Sequence, residues 1–95
     1  MRALPSFAEF ERTARAAGAD EVLVRVWAPG QVVATHTHPF DADALVVQGE
    51  MWLTCGDETR HLQPGDTFAL AGGTPHAERY GAEGATYWVA RRSAR

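Results

Sequence analysis

Short segments that favour turns, most of them containing Gly or Pro, recur at regular intervals through residues 21–91. This spacing is the feature that most restricts which folds the chain can adopt. The segments between the turns are rich in Val, Leu, Ala and aromatic residues, and several alternate apolar and polar side chains. Short strands joined by Gly- and Pro-containing turns are typical of an antiparallel sandwich or small barrel. We predict eight strands, with Gly49 ending the third and a turn at 81–84; the strands are 21–28, 31–36, 44–48, 50–55, 58–62, 67–71, 76–80 and 85–91.

The segment before the strands has a helical pattern. We predict a helix over 6–17, because Ser6 and Glu9 have the spacing of a capping box. Phe7 and Phe10 begin a narrow apolar stripe on one side of it. These phenylalanines either dock the helix onto the domain body or form a lid or dimer contact. The domain organisation predicted is therefore a helical extension at 1–20 and a barrel domain at 21–95.

Composition excludes several classes of protein. The net charge of −3 argues against a nucleic-acid binder, and we interpret Arg91, Arg92 and Arg95 as a solvated tail. No stretch has the roughly 20 apolar residues of a membrane span, and the first residues lack the apolar run of a signal peptide. Cys55 is the only cysteine, so no internal disulfide can form. We expect a soluble, cytoplasmic protein.

The histidines provide the main functional signal. His36 and His38 stand two residues apart, and residues at i and i+2 of a strand point to the same face. His76 begins a different predicted strand. Strands distant in sequence are neighbours in a small antiparallel barrel, so the three imidazoles can converge. Three neutral imidazoles leave open positions on a divalent metal, as in a catalytic site.

Two segments resemble the motifs of the cupin family. Residues 30–49, "GQVVATHTHPFDADALVVQG", are similar to the first motif, G-(X)5-H-X-H-(X)3–4-E-(X)6-G. Residues 65–80, "GDTFALAGGTPHAERY", are similar to the second, G-(X)5-P-X-G-(X)2-H-(X)3-N. The resemblance implies an all-β, double-stranded β-helix with a metal in the barrel mouth, usually as a homodimer. The positions that match are Gly30, His36, His38, Gly49, Gly65, Gly73 and His76.

The sequence departs from the first motif at its acidic ligand. Position 42, where the pattern has the acid, is Ala42, and Asp43 follows it. Strand alternation points Asp43 away from the face of Ala42, although a bulge after Pro39 would reverse this. Asp41 has a poorer spacing, and either aspartate also suits a solvated or turn-capping role. We expect three histidine ligands, completed by one aspartate, with Asp43 the candidate, or by a water. The small Ala42 would leave room for an exogenous ligand.

Tyr80 occupies the position of the second motif's asparagine. If it points inward, its phenol could bind an anion or a carbonyl group; otherwise it is a half-buried barrel tyrosine. We also predict a homodimer, because eight short strands leave apolar surface and open sheet edges. The chain has three tryptophans, and at least one of them is expected in an interface: Trp27, Trp52 and Trp88.

Three functions remain open from the sequence. The first is a metalloenzyme, dioxygenase- or isomerase-like, that acts on a small organic acid and uses Fe, Mn, Ni, Zn or Cu. The second is a non-catalytic module that binds or senses a small molecule. The third is a dimeric barrel whose metal is only structural. None of the three involves a nucleic acid or a membrane.

Overall fold

Six strands and one helix make up the computed structural model, which describes residues 3–93. All strand pairs are antiparallel. The elements are α1 (Phe7–Ala16), β1 (Glu21–Trp27), β2 (Val32–His36), β3 (Phe40–Cys55), β4 (Glu58–Leu62), β5 (Thr67–Leu70) and β6 (His76–Ser93).

The two long strands, β3 and β6, pair along almost their whole length and each takes part in two half-sheets. In one half-sheet, the first part of β3 pairs with β5 and the last part of β6 pairs with β1. In the other half-sheet, the last part of β3 pairs with β4 and the first part of β6 pairs with β2. Trp27 of one half-sheet stacks on Tyr80 of the other, with ring centroids 5.0 Å apart. The fold is therefore the predicted double-stranded β-helix with one short N-terminal helix.

The prediction of eight separate strands is wrong in one respect. Gly49 does not end a strand, and 81–84 is not a turn; both lie within continuous strands, at bulges where the register shifts. Gly49 and Gly84 have φ of 75° and 69°, and a Cβ on Gly49 would lie 2.1 Å from the carbonyl oxygen of Gly84. Only glycine permits this backbone contact, and the bulges at this point let both strands bend between the half-sheets, with pairing resumed on either side.

The helix is confirmed over Phe7–Ala16, with the predicted capping box at its start. The side chain of Ser6 accepts a hydrogen bond from Glu9 N, and Glu9 accepts one from Ser6 N. Phe7 and Phe10 pack on Trp88, with ring centroids 5.4 and 5.8 Å apart. The phenylalanines therefore dock the helix onto the barrel.

The core lies between the half-sheets and consists of the inward side chains of alternating strand positions. Its largest side chains with almost no exposure are Val46, Met51, Leu62 and Tyr80. None of the helical structure within residues 3–93 has the length and apolar character that a membrane span requires.

Candidate metal centre

The structure brings the three predicted histidines together at one end of the barrel. His36 ends β2, His76 begins β6, and the two are directly paired across these strands. His38 follows in the connection to β3. One ligand atom from each histidine lies within 4.8 Å of the others, and the ring centroids are 4.3 to 5.2 Å apart.

Backbone carbonyls orient two of these imidazoles. His36 Nδ1 lies 2.7 Å from Ala34 O, and His76 Nδ1 lies 2.9 Å from Thr74 O. A carbonyl oxygen only accepts hydrogen bonds, so each Nδ1 carries the proton. In the neutral rings, each Nε2 therefore presents a lone pair to the cluster. This is the usual arrangement of metal-ligating histidine.

A fourth side chain, Glu78, lies against the histidines. Its side chain is only 5% exposed, and Oε2 is 3.5 Å from Nε2 of His36 and of His76. Among residues 3–93, these histidines are its only ion-pair partners within 4 Å. Two imidazole lone pairs and a buried carboxylate oxygen therefore face one another. A cation placed among these acceptors would offset their mutual repulsion.

Tyr80 fixes the other oxygen of this carboxylate. Its hydroxyl donates a hydrogen bond to Glu78 Oε1. Burial, followed by the charges and hydrogen bonds of its neighbours, raises the pKa of Tyr80 far above its usual range, so the phenol keeps its proton. Tyr80 does point inward, but its hydroxyl contacts Glu78. A role in binding a substrate stays a prediction for this residue.

Sequence reasoning missed Glu78, although a signal for it was present. His76, Glu78 and Tyr80 are two residues apart on one strand, and strand residues two apart share a face. Placing His76 inside the barrel therefore places Glu78 inside as well. The position falls within the unspecified residues of the second motif, which therefore assigns it no role.

A cavity opens directly beside the cluster. Its volume is about 60 Å³, where one water needs roughly 10–15 Å³, so an ion and a ligand of few atoms fit. Ala42 lies in its wall, as expected for a position that leaves room. The lining side chains are Arg25, Trp27, His36, His38, Phe40, Ala42, Phe68, Leu70, His76, Glu78, Tyr87, Val89 and Arg91.

Two arginines bring positive charge to this cavity. The guanidinium of Arg25 lies 4.8 Å above the ring of Trp27, and that of Arg91 lies 4.4 Å above Phe40. Arg91 Nη1 lies 3.8 Å from Glu21 Oε1, whereas its Nε is buried and has no hydrogen-bond partner within the described part of the chain. The interpretation of Arg91 as part of a solvated tail is wrong, because its pairing opposite Ala42 places it at the cavity.

The other basic residues of that segment behave differently. Arg92 lies 3.4 Å from Asp41 on the outside of the barrel. Arg95 lies outside the described residues.

The structure does not bring Asp43 to the histidines. Ala42 and Ala44 are buried, whereas Asp43 between them is exposed and lies beside the groove under α1. No bulge reverses the alternation here, since the register with β6 is continuous from Phe40 to Val46.

Asp41 has the turn-capping role. Its Oδ1 accepts a hydrogen bond of 2.7 Å from Gly72 N, and this bond, with Arg92 nearby, lowers the pKa of its carboxyl group. Gly73 N also donates to His38 O, at 2.7 Å. These two bonds tie the loop before His76 to the segment that carries His38.

The donor set and its spacing fit a transition metal. Imidazole with a carboxylate suits Zn, Cu, Fe, Ni and Mn better than Ca²⁺ or Mg²⁺. His36 Nε2 and His38 Nε2 are 3.2 Å apart. Two nitrogens that share a four-coordinate ion at about 2.0–2.1 Å lie about 3.3 Å apart. The residues present therefore suit an ion without a large rearrangement.

Comparisons with known proteins agree with this architecture. A family model described as "Cupin domain" matches residues 23–90. No curated protein sequence gave a significant match. The chain is similar to a solved structure of unknown function from Rhizobium leguminosarum bv. viciae 3841, with a TM-score of 0.73 and 25% identity over 77% of this chain and 69% of that one.

Two further solved structures carry names that refer to particular proteins. KdgF from Halomonas sp. has a TM-score of 0.69 and 25% identity, over 78% of this chain and 69% of its own. DddQ from Ruegeria pomeroyi DSS-3, a DMSP lyase, has a TM-score of 0.70 and 27% identity, over 76% of this chain. The chain spans 37% of that lyase.

Proposed function

Because this chain belongs to the cupin family, we propose that it is a metalloenzyme whose histidine-bound metal acts on a small organic acid. One observation carries the proposal: two arginine guanidiniums line the same cavity as His36, His38 and His76. A cavity with a metal-ligand cluster and two cations favours an anion that also chelates. Similarity of this domain to part of a DMSP lyase supports an enzymatic role.

The arginines define the class of substrate. A guanidinium binds a carboxylate through parallel hydrogen bonds, and Arg91 holds a buried Nε without a partner in the described chain. The rings of Phe40 and Trp27 hold the guanidiniums in place. A carboxylic acid with a neighbouring oxygen could therefore contact the metal and an arginine at once. The small cavity limits it to a few heavy atoms.

The metal would be held by the three histidines, and Fe, Mn, Ni, Zn or Cu all suit them. It would supply Lewis-acid polarisation of a substrate oxygen or, in the case of iron, chemistry with O₂. Tyr80 keeps Glu78 oriented through its donated hydrogen bond. The apolar walls formed by Phe40, Phe68 and Leu70 exclude water from the ligand.

The test combines metal analysis with a substrate panel. Purified protein should contain about one transition metal per chain and should convert at least one small hydroxy, keto or dicarboxylic acid, with O₂ uptake followed in parallel. Arg91→Gln should weaken acid binding. Arg92→Gln is the matched control, because Arg92 pairs with Asp41 outside the cavity. Protein without metal, or equal effects of both substitutions, would contradict the proposal.

A non-catalytic sensing module is the alternative, and one observation favours it. The phenols of Tyr80 and Tyr87 are poor general bases, since burial raises the pKa of both. Ligand binding without turnover across the whole panel would support this alternative. Unfolding on chelation without any ligand binding would instead indicate a structural metal.

We also propose a homodimer in the cytoplasm. β1 pairs with β6 on one side only, within the described chain, and carries Val24 and Val26, exposed by 50% and 74%. An unpaired edge with apolar side chains favours association with a second copy. Cys55 is unpaired, which suits a reducing compartment.

At least one tryptophan was expected in a dimer interface, but all three contact side chains of their own chain. Trp27 stacks on Tyr80, and Trp88 lies against α1. Trp52 lies 4.6 Å from the ring of His61 and 4.0 Å from the guanidinium of Arg79. The valines of β1 are therefore the better candidates for the dimer contact.

A further inference from the structure

We propose that Glu78 is the carboxylate ligand of the metal, in place of the acid that the first cupin motif has at position 42. This inference rests on the proposed metal site and names a ligand that neither motif assigns. In this chain, Ala42 removes the acid from one wall of the cavity. Glu78 supplies one from the opposite wall, two residues beyond His76 on β6.

The spacing of the atoms favours a shared ion over direct hydrogen bonds. Glu78 Oε2 is 3.5 Å from Nε2 of His36 and of His76. A charge-assisted hydrogen bond between a protonated imidazole and a carboxylate would be about 2.7–2.9 Å. Ligand atoms that share an ion lie about 3.3 Å apart. The equal distances to two imidazoles are those of a third ligand on the same ion.

The protons of the site lead to the same assignment. Nδ1 of His36 and of His76 each donate to a backbone carbonyl, so neither Nε2 holds a proton in the neutral rings. Tyr80 donates to Glu78 Oε1 and leaves Oε2 for the cluster. A carboxylate oriented in this way, and only 5% exposed, has no other cation among residues 3–93 within 4 Å. Its charge is compensated when a metal occupies the cluster.

The arrangement also fixes where an exogenous ligand can enter. With the histidines and Glu78 on the β2–β6 side, the part of the cavity beside Ala42 stays free. Arg91 is paired directly opposite Ala42 across β3 and β6. A small acid would therefore bind the metal on the side where the family pattern places a protein ligand, with Arg91 beside it.

The experiment compares Glu78→Gln with wild type and with Glu50→Gln. Glu50 is a matched control, because it contacts His61 at 2.6 Å on the exterior, with no connection to the cluster. Co²⁺ and Zn²⁺ affinities are measured by titration calorimetry, and Co²⁺ absorption spectra report its ligands. We expect Glu78→Gln to lower metal affinity by about 100-fold or more and to change the Co²⁺ spectrum. Loss of a residue that only hydrogen-bonds to a ligand typically costs about 10–100-fold. Glu50→Gln should match wild type in both.

Two further variants separate a ligand from a positioning residue. Tyr80→Phe should weaken binding moderately and leave the Co²⁺ spectrum close to wild type, because the carboxylate remains. Ala42→Glu combined with Glu78→Gln should regain affinity, since it returns an acid to the motif position. Metal-free Glu78→Gln should be folded and at least as heat-stable as metal-free wild type, because an amide is less costly beside two lone pairs.

The failure of this inference differs from the failure of the proposed function. If wild type binds no transition metal, the proposed function fails and this inference fails with it. If wild type binds metal and folded Glu78→Gln binds it with the same affinity and spectrum, only the role of Glu78 is disproved. Lost affinity with an unchanged Co²⁺ spectrum would also disprove it.

Discussion

Oε2 of Glu78 lies 3.5 Å from Nε2 of His76, two residues before it on the same strand. The two side chains share a face because β-strand side chains alternate, and the pairing of β6 with β2 places His36 beside both. A short piece of two strands thus gathers an acid and two imidazoles. The remaining donor, His38, comes from the connection that follows β2.

The histidines should be jointly required for metal binding. His36→Ala, His38→Ala and His76→Ala should each lower metal affinity by roughly 100-fold or more, because each removes one donor from a site of few ligands. Elemental analysis after gel filtration gives the metal content per chain. His61→Ala is the control, since His61 contacts Glu50 outside the cluster. Full metal content in all three variants would contradict the site.

Ala42→Glu should tighten metal binding and weaken the binding of small chelating anions. The added carboxylate occupies a coordination position on the open side of the cavity and lowers the net positive charge there. Asp43→Asn should leave both affinities unchanged, because Asp43 is exposed on the other face of β3. Calorimetric titration with Zn²⁺, and then with a small dicarboxylate, measures both. A large loss of metal in Asp43→Asn with no effect of Ala42→Glu would refute this account.

The metal-free protein should lose stability as the pH falls from about 6.5. Burial is the main cause that lowers the pKa of His38. The charges of His36, His76 and Arg91 lower this pKa further, whereas the charge of Glu78 raises it. The unfolded value is about 6.5, so below it the unfolded chain binds more protons than the folded one. The contribution of His38 to the free energy of unfolding is therefore fully present above that pH and declines below it. Urea titrations from pH 8 to pH 5 should show this, with a shallower decline for His38→Asn.

Metal affinity should also fall below about pH 6, because a ligating imidazole must be unprotonated. The same calorimetric titration, repeated across that range, measures the loss. An affinity that stays constant down to pH 5 would argue against imidazole ligands.

Gly49→Ala should destabilise the protein by about 3 kcal/mol or more. The new Cβ would lie 2.1 Å from Gly84 O, in addition to the strain of a φ of 75°. Gly56→Ala has a similar φ of 59° with nothing within 4 Å of the added atom. It should cost only about 1 kcal/mol. Denaturant unfolding compares the two, and equal losses would mean that the contact with Gly84 has no importance.

The protein should be a homodimer at micromolar concentration, measured by light scattering. Val26→Glu should shift the mass toward the monomer, because it adds a charge to the exposed apolar side of β1. Ala8→Glu on the exposed side of α1 adds the same charge elsewhere and should leave the mass unchanged. A monomeric mass for wild type would exclude the dimer.

The sequence by itself determined the local features of this protein. The capping box of Ser6 and Glu9 was readable because its partners are three residues apart. Strand alternation correctly placed Ala42 inward and Asp43 outward, since it depends only on the position along one strand. The glycine and histidine spacing was sufficient for the family and for the convergence of three imidazoles.

Only the tertiary structure decided which distant residues meet. The register of β3 with β6 sets Arg91 opposite Ala42 and turns an apparent tail residue into part of the cavity. The approach of Gly49 to Gly84 converts two predicted strand ends into bends of continuous strands. Glu78 was on the right face by alternation, but its distance to His36 depends on the β2–β6 pairing. Such contacts are set by hydrogen-bond register between strands far apart in sequence, which no local pattern encodes.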